Sequence, residues 1–350
     1  MTRSLREAPA PARRRARIGG WELALAALLL LQLLAFSALV PGFFDGLGGL
    51  LNVTTNFLPF GLVALGLVPV ILTGGIDLSV GAVAGFSAVL MAVLWKHFGL
   101  SLGVAVPLAL LAGALLGGVN GLLITRTRTE PLIVTLATSF VFTSVTTALA
   151  GAEPPSGFPD RFNALGTGAL GGVPYQLILF AVLAVVFSLL VTRTRFGRSV
   201  VMVGHNRDAS RYSGIDVNAT LAWVYVLSGV MAALAGVVLA AYYSAVRSDM
   251  GDILLLSALT MVVLGGINIF GGEGSVLGAV LAVLLLGFLR QGLLIAGFSD
   301  MVTTMVTGAI LLVAITAKNL LAGGSFTARL QARFRPASTG SPSPPENAMK

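Results

Sequence analysis

Long uninterrupted apolar segments dominate the pattern along the chain, and short polar segments separate them. A helix needs about 20 consecutive apolar residues to cross a bilayer. Ten runs approach that length, at residues 21–40, 50–72, 78–94, 100–124, 132–150, 175–192, 219–242, 253–270, 275–296 and 301–317. A β-barrel would instead show short alternating segments. The pattern therefore predicts an all-α membrane protein, a polytopic helical bundle of about ten transmembrane helices.

Composition agrees with this pattern and defines the ends of the bundle. The chain is 56% hydrophobic and 10% charged, whereas a soluble domain carries about 25% charged residues. Residues 1–20 are basic and precede an apolar run long enough to span, so we interpret them as a cytoplasmic segment and not as a signal peptide. Residues 321–350 are rich in Pro and Ser, which predicts a disordered cytoplasmic tail. The transmembrane domain is then 21–320.

The positive charges are distributed unequally between the two sides of the predicted bundle. With the N-terminus in the cytoplasm, 18 of the 22 Lys and Arg residues fall on the cytoplasmic side, three are external, and Arg290 lies inside a span. Cytoplasmic loops of membrane proteins carry such an excess. The asymmetry predicts that both termini are cytoplasmic, and it accounts for the net charge of +8 without a nucleic-acid partner.

The sequence gives little support for an enzyme. It contains no cysteine and only two histidines, which predicts no metal site. It has no G-x-x-x-x-G-K-[ST] phosphate loop and no G-x-S-x-G element. We therefore expect no catalytic residues and no cofactor bound by this chain.

Neutral polar residues within the predicted spans suit the passage of a neutral polyol, because they can replace its water without adding net charge, although such residues also serve helix packing. We predict a translocation path or gate formed by Asn56, Thr73, Gly74, Gly75, Asp77, Ser79, Asn120, Thr135, Thr138 and Asn268. Gly74–Asp77 has a partial echo in 265–268, at an offset of 191 residues. Transporters are often built from repeats with such breaks.

Asp77 lies between two apolar runs, and two hypotheses explain it. The span count places it near the cytoplasmic end of a span, within reach of water. In the first hypothesis its carboxylate caps the following helix by accepting free amide N–H groups. In the second it is a gate residue on the solute path.

The connection between residues 193 and 216 is basic and contains signals for a short helix. Asn206 is a favourable N-cap, Asp208 falls in the first turn, and Gly214 is a natural residue to end the helix. The signals predict a helix over about 207–213. A helix this short is poorly stable alone and would gain from packing on a partner, although a solvated loop whose arginines only set topology explains the spacing equally well.

Four ordered motifs give the chain a family resemblance. They are "TGGIDLSVG" (73–81), "NGLLITRTRTEPLIVTLAT" (120–138), "TRFGRSVVMVGHNRDASRYSGI" (194–215) and "GGINIFGGEGSVLGA" (265–279). Together they resemble the permease subunits of bacterial ABC importers for simple sugars, the ribose, xylose, arabinose and rhamnose group that includes autoinducer-2 permeases. The resemblance implies a multi-pass protein of the bacterial cytoplasmic membrane that carries a monosaccharide or similar polyol.

The resemblance also implies partners. These are cytoplasmic ABC ATPase subunits that bind ATP and Mg²⁺, an external sugar-binding protein docking around 151–173 and 247–252, and a second permease copy or paralogue in the bilayer. It assigns ATPase coupling to Gly204, Asn206, Arg207, Asp208, Ala209, Arg211, Ser213, Gly214 and Ile215.

Two other classes of transporter stay open. An ion-coupled secondary transporter would work alone and would need intramembrane ionisable groups, for which Asp77, Arg290, Asp252 and Asp300 are the candidates. An ABC permease for branched-chain amino acids or nucleosides would share the glycine-rich breaks.

Overall fold

The computed structural model describes residues 19–151 and 154–321. Fourteen α-helices make up most of this part, together with a 3-10 turn at Thr54–Asn56. They are α1 Gly20–Leu39, α2 Gly46–Val53, α3 Leu58–Leu72, α4 Val80–Lys96, α5 Leu102–Thr127, α6 Pro131–Ala150, α7 Asp160–Thr167, α8 Tyr175–Arg193, α9 Arg195–His205, α10 Arg207–Tyr212, α11 Val217–Tyr243, α12 Asp252–Leu264, α13 Val276–Ile295 and α14 Asp300–Leu321. The all-α membrane class is confirmed. The predicted tail and most of the basic N-terminal segment lie outside the described residues.

The ten predicted apolar runs are not ten equal spans. Within the described ranges, six helices are long and apolar enough to cross a membrane, and the bent pair Gly46–Asn56 and Leu58–Leu72 gives a seventh if it forms one span. The apolar helices α4 and α12 have 17 and 13 residues, about 26 and 20 Å at 1.5 Å per residue, against a hydrocarbon core of about 30 Å. The count of ten and the side of the termini stay predictions.

The second predicted span bends by 57° where a single helix was expected. Thr54 and Thr55 donate their hydroxyls to carbonyls three residues back, and such bonds compete with regular helix geometry. Pro59 then occupies the first turn of α3, where its missing N–H is tolerated. The chain therefore starts a new helix at Leu58.

The eighth predicted span was placed at 253–270, but α12 ends at Leu264. Gly266 adopts a φ of 90°, which glycine reaches without steric cost and which ends a right-handed helix. Residues 265–275 form an irregular segment before α13. The glycine pair, which the echo had singled out, is therefore the reason that this span is short.

Helices α3 and α11 occupy the centre of the bundle. Every residue of α3 is buried, whereas only 6% of the apolar 18-residue stretch of α1 is buried. Helix α5 approaches α11 through Gly113, Gly117 and Gly121, where an added Cβ would overlap or crowd α11. Small residues at four-residue spacing allow such backbone contact in membranes. The core is thus built from glycine-mediated packing around α11.

The connection between α6 and α8 holds α7 and a two-stranded antiparallel ribbon. Its strands are β1 Ala169–Leu170 and β2 Val173–Pro174, and Leu170 pairs with Val173. Residues 155–157 also bond to 244–246 through main-chain hydrogen bonds. The segments proposed from the resemblance to receive a binding protein, 151–173 and 247–252, are therefore neighbours at one end of the bundle.

Candidate functional site: two helix breaks and the loop between α8 and α11

Helices α3 and α12 end in the same backbone motif. Gly74 and Gly266 adopt left-handed φ values of 74° and 90°, and in each case the following residue donates its N–H to the carbonyl five residues back. This is the Schellman helix end. The structurally equivalent glycines are 192 residues apart (266 − 74), one more than the offset of the sequence echo. Backbone geometry, and not residue identity, sets the correspondence, so Asp77 is not the equivalent of Asn268.

The Asp77 carboxylate is buried, with 1% of the residue exposed, so the expectation that water reaches it is wrong. Its Oδ1 accepts hydrogen bonds from the backbone N–H of Ser79 at 3.0 Å and from the Ser79 hydroxyl at 2.6 Å. Its Oδ2 accepts one from the hydroxyl of Ser228 on α11 at 2.8 Å. Three hydrogen bonds therefore satisfy both oxygens of the carboxylate, as the burial of a polar group requires.

Asp77 binds the amide just before α4 begins, since Ser79 is the N-cap residue of that helix and its own side chain makes no capping bond. The carboxylate therefore fixes the start of α4 in a turn that precedes the first helical residue. This agrees with the capping hypothesis, in which the carboxylate accepts a free amide N–H at the start of the following helix. The bond to Ser228 adds a second role, since it ties the turn to α11.

A second set of polar side chains extends from Ser79 into α5 and α6. The Asn120 side-chain amide donates to the Ser79 hydroxyl at 2.7 Å, and the Thr138 hydroxyl donates to Asn120 Oδ1 at 2.6 Å. The Thr135 hydroxyl accepts the N–H of Leu78 at 3.0 Å. Buried hydrogen-bonded networks of this kind fix one arrangement of the helices they join. The turn between α3 and α4 is therefore pinned to α5, α6 and α11.

The structure brings together half of the residues predicted for a path or gate. Asp77, Ser79, Asn120, Thr135 and Thr138 form the buried network, and Gly74 and Gly75 shape its turn. Among the described residues, the Thr73 hydroxyl bonds only to the carbonyl of Val70, in the last turn of α3.

Two predicted path residues lie elsewhere. Asn56 is exposed and accepts a hydrogen bond from the Tyr242 hydroxyl. Asn268 closes its own turn, because its Oδ1 accepts the N–H of Phe270 at 3.1 Å. The predicted path included Asn56 as a neutral polar residue within a span and Asn268 as the counterpart of Asp77 in the echo, but neither joins the buried network.

Sequence reasoning missed two residues of α11. Ser228 bonds to Asp77, and the Tyr225 hydroxyl is buried beside Gly75, where an added Cβ would lie 2.6 Å from it. That hydroxyl has no hydrogen-bond partner among the described residues. A serine and a tyrosine in an apolar span are weak signals, because either is common in helix packing. Only the fold shows that they face Asp77.

The connection between α8 and α11 folds as its signals predict. Asn206 caps α10 by accepting the N–H of Ala209 at 2.9 Å. Gly214 follows α10 with a φ of 78°, and Ile215 donates its N–H to the carbonyl of Ser210. The helix Arg207–Tyr212 and its glycine end are therefore confirmed. Tyr212 is 93% exposed, so α10 presents a large aromatic side chain away from the bundle.

Helix α9 carries this connection onto both glycine-rich breaks. A Cβ added at Gly204 would overlap the carbonyl oxygen of Leu72, the last residue of α3. Gly272, in the segment after α12, donates its N–H to the same oxygen at 2.8 Å. A Cβ at Gly271 would lie 2.6 Å from the Gly74 nitrogen and 3.1 Å from the Gly204 Cα. We name the set Leu72, Gly74, Gly204, Gly271 and Gly272 the glycine junction.

The glycine junction joins three parts of the chain that are distant in sequence. Glycine at these positions lets main chains meet without intervening side chains, so the contact is short. A displacement of α9 must move the end of α3 or the turn after α12, because packed interiors have no free space to absorb it. The junction is thus a mechanical link between α9, in the connection from α8 to α11, and both breaks.

At the opposite end of the bundle, charged residues that the sequence separates come together. Arg290 on α13 donates to Asp300 Oδ1 on α14 at 2.6 Å, and Asp252 at the start of α12 lines the same cavity of about 300 Å³. In the neighbouring exposed loop, Arg247 pairs with Asp249, and this pairing holds the pKa of Asp249 below its ordinary value. The three ionisable residues noted as candidates for ion coupling therefore share one site, while Asp77 does not.

Comparison with known proteins decides the family. Residues 49–315 match the family described as branched-chain amino acid transport system / permease component. The chain belongs to this permease family. The permease is 41% identical over 307 residues to the autoinducer 2 import system permease protein LsrD of Escherichia coli (strain K12), covering 86% of this chain and 92% of that protein. The same protein of Shigella flexneri matches equally, and that of Enterobacter sp. (strain 638) is 42% identical over 306 residues.

These matches confirm the predicted resemblance to ABC importer permeases of the sugar type. The matched relatives are named as permease components of transport and import systems, in agreement with a transport role for this chain and an integral membrane location. The family match covers α3 to α13 completely, so the Asp77 network, the glycine junction and the Arg290 cavity all lie largely within the family's common region.

Proposed function

We propose that this protein is the membrane-spanning permease subunit of an ATP-binding-cassette importer. It carries a monosaccharide or a similar small polyol, with autoinducer 2 as the first candidate, across the bacterial cytoplasmic membrane. The names of the relatives support the substrate class. The contact of Gly204 with Leu72 and Gly272 supports the mechanism, because it connects a cytoplasmic docking element to the helix breaks.

The proposed partners follow from this mechanism. Cytoplasmic ATPase subunits bind ATP and Mg²⁺ and seat on α10, where Tyr212 is exposed; this chain itself binds no cofactor. An external binding protein docks at the neighbouring segments 151–173 and 247–252. A second permease, identical or related to this chain, completes the solute path between the binding protein and the ATPase subunits. In this arrangement ten segments cross or enter the bilayer, and both termini lie in the cytoplasm.

The transport cycle then uses the glycine junction. ATP binding closes the ATPase pair and displaces α10 and α9. Gly204 transmits this movement to Leu72 and to the turn containing Gly74, while Gly271 and Gly272 carry it to the segment after α12. The Asp77 network keeps the turn attached to α5, α6 and α11, so that the helix ends move as a unit and alter access to the path.

Reconstitution tests this function. The permease is placed in liposomes with its ATPase and binding-protein partners, and uptake of autoinducer 2 and of D-ribose is measured with and without ATP on the ATPase side. We expect ATP-dependent uptake of one of these solutes that requires the binding protein. Uptake by the purified permease alone, driven by an ion gradient, would contradict the proposal and support a secondary transporter. ATP-dependent uptake of leucine or adenosine instead would assign another substrate class.

The side of each loop is tested on the same protein. Because the chain contains no cysteine, a single cysteine introduced at Ser101 or at Ser213 is the only thiol. We expect an impermeant maleimide added to intact cells to label Ser101→Cys and to label Ser213→Cys only after permeabilisation. The reverse pattern would invert the proposed topology.

A further inference from the structure

Arg290 is a charged residue inside α13, one of the helices long and apolar enough to span a membrane. Ionisable groups in spans are rare and usually mark a functional site. The guanidinium donates to Asp300 at 2.6 Å and lies with its central carbon 5.4 Å from the centroid of the Phe60 ring. Its Nε is buried and has no hydrogen-bond partner among the described residues. One donor of a well-anchored guanidinium is therefore left unused.

A cavity of about 300 Å³ lies beside this guanidinium, between α3, α12, α13 and α14. Its volume is at the lower end of the range that small-molecule sites occupy, about 300–1,000 Å³. Asp252 and Asp300 stand at its mouth, because each begins its helix. Thr260 and Thr307 line it eight and seven residues further along, about 10–12 Å deeper at 1.5 Å per residue. The cavity therefore runs from the end of the bundle into the membrane region.

The chemistry of the lining selects a class of ligand. Most of the wall is apolar, and the polar groups are one guanidinium, two carboxylates and the hydroxyls of Ser257, Thr260, Thr304 and Thr307. A guanidinium offers several N–H donors, and a carboxylate accepts without donating. A neutral compound with several hydroxyl groups can accept from the first and donate to the second. A small anion would meet two negative charges for one positive charge, so it is disfavoured.

We propose that the Arg290 cavity is a binding site for the transported solute, a neutral polyhydroxylated molecule, at the external end of its path. Arg290 and Asp300 hold the solute's hydroxyl groups, Asp252 receives it at the mouth, and the apolar wall around Phe57 and Phe60 covers its carbon face. The assignment of this ligand rests on the proposed function, but the cavity and its unused donor are properties of the chain itself.

The experiment uses the absence of native cysteine. Ser257→Cys places the only thiol in the cavity wall, and Ser101→Cys places one on the exposed N-terminus of α5, outside the cavity. Both variants are assembled with the partners in proteoliposomes, and the rate of labelling by a small water-soluble maleimide is measured with D-ribose, autoinducer 2, ethanolamine or no addition. We expect the sugar-type compound that is transported to slow labelling of Ser257→Cys at least fivefold and to leave Ser101→Cys unaffected.

Arg290 is tested in the Ser257→Cys background. Arg290→Lys keeps the charge but loses the planar fork of donors. We expect it to raise the half-protecting concentration, which is the solute concentration that halves the labelling rate, at least tenfold. Labelling still reports the cavity in this variant, and co-elution with the ATPase shows that the protein has folded. If Arg290→Lys leaves the half-protecting concentration unchanged, the proposed role of the guanidinium in binding the solute is wrong.

Uptake by the parent complex separates this inference from the proposed function. Uptake of a solute that does not protect Ser257→Cys would overturn the site and leave the function intact. Protection without any ATP-dependent uptake would keep the site and overturn the importer. A thiol at 257 that is never labelled would show that the cavity is closed to water, and protection by ethanolamine alone would assign a cation site; either result refutes the proposal.

Discussion

The carboxylate of Asp77 accepts a 2.8 Å hydrogen bond from the hydroxyl of Ser228, 151 positions further along the chain. With the two bonds from Ser79, it joins the turn after α3 both to the start of α4 and to α11. An acidic residue at a helix break in a transporter invites assignment to the solute or to a coupling ion. Here each carboxylate oxygen is already bonded within the protein, which favours a role in holding the break.

Substitution of Asp77 distinguishes a role in holding the helix break from a role that needs the negative charge. Asp77→Asn keeps an oxygen that can accept from Ser79, and its amide can donate to the Ser228 hydroxyl after that group rotates. We expect this variant to retain most ATP-dependent uptake. Asp77→Ala leaves buried donors unpaired, at about 1–3 kcal/mol each, and is expected to abolish uptake and lower Tm. Loss of uptake in a fully assembled Asp77→Asn permease would instead support the gate hypothesis.

The two α11 residues beside the turn are expected to respond differently when their hydroxyls are removed. Ser228→Ala deprives Asp77 of a donor and is expected to destabilise the permease by about 1–3 kcal/mol. Tyr225→Phe removes a buried hydroxyl without a partner in the described region, so Tm is expected to stay unchanged or to rise. Thermal unfolding of both variants in the same detergent measures the contrast. A larger loss for Tyr225→Phe than for Ser228→Ala would show that the tyrosine hydroxyl has a partner in the working complex.

The glycine junction predicts that one methyl group can uncouple the importer. Gly204→Ala places a Cβ against the Leu72 carbonyl and the Gly272 amide, which displaces α9 from both breaks. We expect uptake to fall at least tenfold while ATP hydrolysis by the assembled complex continues. Gly103→Ala is the matched control, because among the described residues its new Cβ meets only the Ser101 hydroxyl oxygen, at 3.8 Å. Normal uptake by Gly204→Ala would show that the glycine junction does not take part in transport.

The end of α10 is tested by bulky residues at Ser213 and Gly214. The φ of 78° at Gly214 disfavours any residue with a branched side chain, so Ser213→Leu with Gly214→Val is expected to distort the docking surface. Hydrolysis of ATP should then continue without transport. Gly99→Val, in the loop between α4 and α5 with a φ of 68°, imposes similar strain at the other end of the bundle and is expected to leave coupling intact. If the double variant transports as well as the parent, α10 is not the coupling element.

Local sequence signals were sufficient for several elements. The cap at Asn206, the helix that follows and its end at Gly214 are set by bonds within one short segment, so residue types and spacing predict them. The existence of long apolar helices follows in the same way from run length. The lengths of individual spans were predicted less accurately, because Pro59 and the Gly265–Gly266 pair interrupt helices without interrupting the apolar pattern.

The sequence by itself therefore determined the membrane class, the family and the short helix α10, since each depends on composition, on ordered motifs or on neighbouring residues. Only the tertiary structure decided the candidate sites. Ser228 meets Asp77, Gly204 meets Leu72, and Arg290 meets Asp300 because helices distant in the chain pack side by side. A single sequence carries no periodicity that marks such pairs, because their contacts depend on how every intervening helix is placed.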